Sequence, residues 1–208
     1  MSADRAASVL ARLLNRSRST GENYNLLLSR FVVERLLFRL SVSPHAGNFV
    51  LKGALLFALW YDTPHRPTKD ADLLGFGADD ADTLRATFNA VCAIDADDGV
   101  RYDTAKMKIA PIREDNVYGG MRLSLLAFVG SARLPVQVDI GFGDAITPAP
   151  ELVTYPTLAR RHGSGAASCL SHLHGDRREV PRDGRVGDQQ QPDEGLLRPR
   201  RDRQDIGA

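Results

Sequence analysis

Asp70 and Asp72 stand two residues apart in the run Asp70-Ala71-Asp72-Leu73-Leu74. On a strand, side chains alternate with a period of two, so both carboxylates share one face. Two carboxylates at a strand end can share a divalent cation. Magnesium in particular takes hard oxygen ligands, commonly one or two carboxylates plus substrate phosphates. A third acid, Asp139, sits between Val138 and Ile140 in a segment of strand character. An aspartate among apolar neighbours is costly unless it coordinates or pairs. Three such carboxylates brought together would hold one or two metal ions for in-line attack on a nucleotide phosphate. Two plainer readings stay open. An Asp-x-Asp pair is commonly a solvated strand edge, and Asp139 could be ion-paired to a neighbour such as Arg66.

Lys52-Gly53-Ala54 supplies the complementary chemistry. It falls where a short apolar strand, Phe49-Val50-Leu51, gives way to a helical pattern over residues 54–61. A glycine there lets the backbone approach a ligand, and the free N–H groups of a new helix attract phosphate. Lys52 would add a positive charge. A tight turn with a solvent-facing lysine accounts for the same three residues.

The elements that must position these groups are legible in the pattern. Residues 3–16 repeat apolar positions (Ala7, Val9, Leu10, Leu13, Leu14) at helical spacing. Ser19 and Glu22 have capping-box spacing ahead of a second helix at about 20–41. That helix would bury Leu26, Leu28, Phe31, Val32, Leu36, Leu37 and Leu40. After the strand at 49–51 and the strand at 70–74, a third helix is expected over 80–94. Three strands follow at about 105–113, 121–129 and 134–142, with turns at Gly119-Gly120 and from Gly130 to Arg133. Helices first, then strand–helix–strand, helix and an antiparallel run make an α+β arrangement.

Composition sets the wider bounds. The 208 residues are 43% hydrophobic and 25% charged, a globular balance, and the net charge of +1 gives no overall electrostatic footprint for nucleic acid. A local basic face would still serve an RNA substrate. The two cysteines, Cys92 and Cys169, fit a buried thiol and an incidental one in a reducing compartment. The charged N-terminus is no signal-peptide core, and no run of 18 apolar residues exists, so a soluble, cytoplasmic protein is expected. Beyond Leu158 the character changes. Residues 159–208 hold ten Arg but no Lys, Phe, Tyr or Trp, and no period persists, which predicts an irregular or disordered tail. The expected division is therefore a folded unit at 1–158 and a tail at 159–208. Cys169, His172 and His174 lack a fourth ligand and a scaffold for zinc. The Arg198 to Arg203 run is a solvated charge run that could touch RNA only electrostatically.

The stretch from Phe49 to Phe57, with Lys52-Gly53-Ala54 at its centre, is followed by Arg66-Pro67-Thr68-Lys69-Asp70-Ala71-Asp72-Leu73. Together they resemble the paired signature of the AbiEii/AbiGii toxin family, whose members include the MenT toxins. Tyr118-Gly119-Gly120-Met121-Arg122-Leu123 and the run from Val136 to Asp144 also resemble it in order and spacing, so the likeness covers about residues 20–158. The resemblance implies a polymerase-β-like nucleotidyltransferase core preceded by helices. It implies that Gly53 shapes a triphosphate-binding turn, that Lys52 and Arg66 serve phosphate, and that Asp70, Asp72 and Asp139 bind magnesium. Thr68 matches a hydroxyl position that in some relatives is modified to silence the toxin. A nucleoside triphosphate, an RNA acceptor such as the tRNA 3′ end, and a cognate antitoxin are the implied substrate and partners. Ala54 departs from the pattern, since many nucleotidyltransferases have Gly followed by Ser or Thr there.

The family's helical C-terminal half supplies a lysine in an Ala-Glu-Lys-type helix and an aspartate in a Lys-Asp-x-x-Asp-Leu helix. Neither occurs in this chain. The tail segment DQQQPDEGLLRP can, however, be encoded so that reading from the second base gives ISNSRMKDYYDL, which resembles the missing motif. LSHLHGDR can likewise be encoded so that the shifted frame reads FPTYTVT. A one-base shift near residue 159 would account for the arginine-rich, aromatic-free tail. Three functions fit this pattern: a toxin-like nucleotidyltransferase impaired by its tail, a catalytically inactive remnant that binds nucleotide or antitoxin, and a small-molecule (antibiotic) nucleotidyltransferase.

Overall fold

The computed structural model describes residues 3–56, 70–112, 119–143, 151–154, 158 and 172–175. The first helix, α1 (Ala3–Thr20), turns Ala6, Val9 and Leu13 inward at helical spacing. It ends at Gly21, whose φ of +76° suits glycine and whose N–H reaches the Ser17 carbonyl at 2.9 Å. The capping box expected at Ser19 does not form. Ser19 lies in the last turn of α1 and donates to the Arg16 carbonyl, while Glu22 is drawn away to Arg16 and Arg30. Asn23 caps α2 (Tyr24–Ser41) instead, accepting from the Leu26 N–H at 3.1 Å.

Helix α2 is buried around most of its circumference, with Leu27 rather than Leu26 turned fully into the core. It carries three buried charges, which need partners. Arg35 and Arg39 converge on Asp98, Nε at 3.0 Å and a terminal nitrogen at 2.9 Å. Arg39 also donates to the carbonyls of Cys92 (3.1 Å) and Val100 (2.8 Å), and its guanidinium lies 4.8 Å from the Tyr102 ring centroid. The Tyr102 hydroxyl donates to the Val32 carbonyl at 2.7 Å. These bonds fasten α2 to the connection between the third helix and the strand that begins at Val100.

The third helix, α3 (Ala81–Ala93), starts at Asp80, whose carboxylate accepts from the Thr83 N–H at 2.8 Å. Its Phe88 meets Phe49 edge to face at 5.7 Å. Cys92, near its end, is buried and not in a disulfide, and burial pushes its thiol up to about 12. This is the inert buried thiol expected of it. Cys169 lies outside the described residues.

The strands are β1 (Phe49–Lys52), β2 (Asp70–Gly75), β3 (Val100–Ile112), β4 (Gly120–Val129), β5 (Ala132–Phe142), β6 (Glu151–Thr154) and β7 (His172–Gly175). They form one sheet in the order β3-β4-β5-β2-β1-β7-β6. The β3-β4-β5 run is the expected antiparallel meander, with a register shift in β3 between Asp103 and Lys108. β2 then lies parallel to β5 and antiparallel to β1. Leu51, Ala71, Leu73, Leu123, Leu125, Val136, Val138 and Ile140 pack with residues of all three helices into one core. The arrangement is α+β, as expected. After β1 a short 3-10 turn spans Gly53–Leu56, and the rest of the helix expected to residue 61 lies outside the described residues. The tail read as irregular supplies one strand, β7, parallel to β1. A sheet edge presents unpaired N–H and C=O groups that accept any extended segment, so periodicity is not required for it. No helix among the described residues is long and apolar enough to cross a membrane.

Glu34 is the third buried charge on α2. The Leu158 N–H donates to its Oε2 at 2.8 Å, and Arg35 lies 3.7 Å from Oε1. Burial pushes its carboxyl up to about 7, against the lowering effects of the Leu158 N–H and of Arg35, Arg30 and Arg16. The folded value therefore lies above the unfolded one, near 4.5. Glu34 contributes stability in full below that unfolded value and loses it as pH rises through about 7. Glu34→Gln should flatten the fall in unfolding free energy between about pH 5 and 8, by about 3 kcal/mol at the alkaline end. Urea unfolding across that range tests it, and a wild-type profile as flat as the variant's would show that Glu34 does not titrate there. Asp98→Ala leaves the buried Arg39 without a carboxylate and Arg35 with Glu34 alone, and should cost about 3–5 kcal/mol in the same assay.

Candidate active site

Strand register places four charged residues side by side. Arg122 on β4 is the cross-strand partner of Asp139 on β5, Asp139 that of Asp72 on β2, and Asp72 that of Lys52 on β1. Register partners share a face, with about 4.8 Å between neighbouring strands. The result is a row of plus, minus, minus, plus across the middle of the sheet. Two residues along, on the same face, Asp70 aligns with Gln137 and Gln137 with Ser124. The intervening Ala71, Leu73, Val138, Ile140 and Leu123 point the other way, into the core under the helices. The polar row thus occupies the face opposite the helices.

Gly53 closes on this row. Its φ is +74°, and a Cβ placed there would lie 2.2 Å from Asp72 Oδ2. The carboxylate of Asp72 therefore rests against the turn that follows β1, in space that any side chain at residue 53 would fill. Gly53 was expected to shape a phosphate-binding turn. The described geometry adds that the same turn is what Asp72 packs against.

Asp139 is paired. Arg122 grips it in a two-pronged contact, Nε to Oδ1 at 2.8 Å and a terminal nitrogen to Oδ2 at 2.7 Å. The Gln137 amide donates to Oδ2 at 3.4 Å. The hydrogen bond to Asp139 holds the Arg122 guanidinium further above its ordinary range, followed by the charges of Asp139, Asp70 and Asp72. One guanidinium thus feels all three carboxylates. Among the described residues no three His, Cys, Asp or Glu side chains are grouped closely enough to hold a metal ion. The physical reason is visible at Asp139, whose two oxygens are both turned to Arg122. In kind and in strand position the carboxylates suit a hard divalent cation.

The ion-paired reading of Asp139 anticipated the interaction, and among the described residues its partner is Arg122. Arg66 and Thr68 lie outside the described residues. Arg122 was quoted only within a motif and given no role. The signal that identifies it is hairpin arithmetic. Counting seven residues back from Val129 and seven on from Ala132, on either side of the tight turn, lands on Arg122 and Asp139.

Comparison with known proteins gives the family. The sequence model of the nucleotidyl transferase AbiEii toxin family, described as a type IV toxin–antitoxin system, matches residues 35–171. The chain belongs to that family. No curated protein matches it. The Helicobacter pylori protein JHP933 is similar over 61% of this chain and 47% of its own, at 16% identity and a TM-score of 0.39. A second H. pylori structure, provisionally described as a nucleotidyltransferase, is similar over 61% of this chain and 49% of its own, at 15% identity and a TM-score of 0.38. The chain therefore spans about half the length of these solved relatives.

Gly53→Ala should cost about 1–3 kcal/mol in urea unfolding, from the positive φ and from the displaced Asp72 carboxylate. A variant as stable as the parent, with Asp72 unmoved in its structure, would contradict the close packing described.

Proposed function

We propose that the chain is the N-terminal catalytic part of a cytoplasmic toxin that transfers a nucleotide from a nucleoside triphosphate to an RNA acceptor, the tRNA 3′ end. One observation carries the reading: Asp72 and Asp139 stand side by side in register, flanked by Lys52 and Arg122, with Asp70 on the same face. Asp70, Asp72 and Asp139 would hold magnesium, which when bound neutralises phosphate charge and orients it for in-line attack. Lys52 at the end of β1 would meet phosphate oxygens. Gly53 keeps the following turn close to Asp72. Arg66, just ahead of β2, would contact phosphate, and Thr68 would be the position at which modification silences the site. An antitoxin is the implied partner, by contact or through Thr68.

The tail decides whether this chain works as it stands. We place the boundary at residue 158, with a nucleotidyltransferase unit at 1–158 and a tail at 159–208 that a one-base shift has put out of frame. The back-translation of DQQQPDEGLLRP and the absence of Lys and aromatic residues from the tail support this. Without the lysine and aspartate of the family's helical half, the chain is an impaired enzyme or an inactive remnant that binds nucleotide or antitoxin.

The test compares the 208-residue chain with one whose tail is recoded to the shifted frame, each given magnesium, labelled nucleoside triphosphates and total tRNA. The recoded chain should label tRNA, and Asp70→Ala should lower that labelling by at least about 100-fold. Labelling by the chain as given, at the recoded chain's rate, would show that the tail is not a defect. No labelling by either would sink the RNA-acceptor reading.

A further inference from the structure

Resting on the site reading above, we infer that Arg122 holds Asp139 until a divalent cation arrives, so that guanidinium and cation compete for one carboxylate, and that the released guanidinium then binds the nucleotide's phosphates. Three observations carry this. First, the grip is complete: both Asp139 oxygens are engaged by the Arg122 fork, at 2.8 and 2.7 Å. Asp139 cannot serve a cation fully while that contact lasts. Second, the grip is breakable. The Arg122 side chain is 46% exposed and that of Asp139 22%, so solvent screens the pair and a doubly charged competitor can reach it. Third, Arg122 lies in the same charged row as Asp139 and Asp72, on the face where a polyphosphate would approach.

Charge balance requires some such arrangement. Asp72 and Asp139 are neighbours across a parallel pair, and like charges in adjacent register positions repel. A guanidinium on Asp139 offsets that repulsion without metal. Once a doubly charged ion takes over, the positive charge of Arg122 becomes surplus beside it, and the nearest favourable partner is a phosphate. The planar fork that fits a carboxylate fits phosphate equally well, and a lysine would offer only a point charge. The plus-minus-minus-plus row would thereby act as a sensor of the complete metal–nucleotide pair.

The experiment is calorimetric titration of manganese into the full chain, followed by titration of a non-hydrolysable nucleoside triphosphate analogue at saturating manganese. Arg122→Gln should bind manganese about tenfold more tightly than the parent, because a competing positive charge is gone, and should bind the analogue about tenfold more weakly. Arg122→Lys, which keeps the charge and loses the fork, should fall between the two. It gives the same decision should Arg122→Gln fail to fold. Asp72→Asn is the control on the site itself. If the parent binds no manganese, or Asp72→Asn binds it as well as the parent, the metal reading and this inference fall together. If manganese binding depends on Asp72 but is unchanged or weakened in both Arg122 variants, the inference alone is overturned.

Discussion

The register of β2 beside β5 is the constraint on which the site depends. These strands run parallel, Asp72 level with Asp139, although they are far apart in sequence and no tight turn joins them. A slip of one residue would point Asp72 into the core and Ala71 or Leu73 into solvent. What prevents the slip is the apolar set on the other face. Ala71, Leu73, Val138 and Ile140 are all buried beneath the helices, and a slip would expose Leu73 together with Ala71. Burying a leucine side chain is worth about 1.5–3 kcal/mol. The site's alignment is therefore enforced from the opposite side of the sheet.

That enforcement works only if the helical layer is itself held in place. Helix α2 supplies the largest share of the layer, and it is anchored by polar contacts at one flank: Arg35 and Arg39 on Asp98, and the Tyr102 hydroxyl on the Val32 carbonyl. Buried ion pairs contribute little net stability, because desolvation offsets the attraction. Their directionality is another matter. Arg39 meets Asp98 and two backbone carbonyls at once, which fixes both the rotation of α2 and its position along the sheet. A purely apolar interface would permit sliding between similar side chains.

Much of this was legible in the sequence, and the limits follow from physics. Alternation revealed β4 and β5 because one face is buried and the other wet, and it put Asp70 and Asp72 on one face. Helices α1, α2 and α3 were readable from their period, with ends within a few residues. The cap of α2 was misplaced, because Ser19 and Asn23 both have capping chemistry. The choice fell to Gly21, which ends α1 late enough to enclose Ser19. Pairing between distant strands could not be read, since alternation states which face a residue takes and not which strand lies beside it. Only the β4–β5 hairpin was short enough to fix its own register, and Arg122 was recoverable from that turn alone. Strand β7 carries no apolar period, so composition had no way to reveal it.

The division between folding and chemistry in this chain follows from where the core lies. Among the described residues the core cluster runs from Ala6 to Ile140, and beyond that Phe142 and Leu158 pack against it. A reading frame lost after residue 158 would leave this cluster intact, together with the register that aligns Asp72 and Asp139. Leu158 is also where the chain is tied back to α2, through its N–H on Glu34. The contacts of the core cluster and the tie to Glu34 are thus made by the point at which the sequence changes character, and among the described residues the tail adds the backbone pairing of β7. Groups that would come from a helical half are not needed to build the acidic row, though the proposed transfer needs them to complete it. In that reading the loss falls on catalysis and on RNA binding, while the helices, strands β1 to β5 and the carboxylates stay as they are.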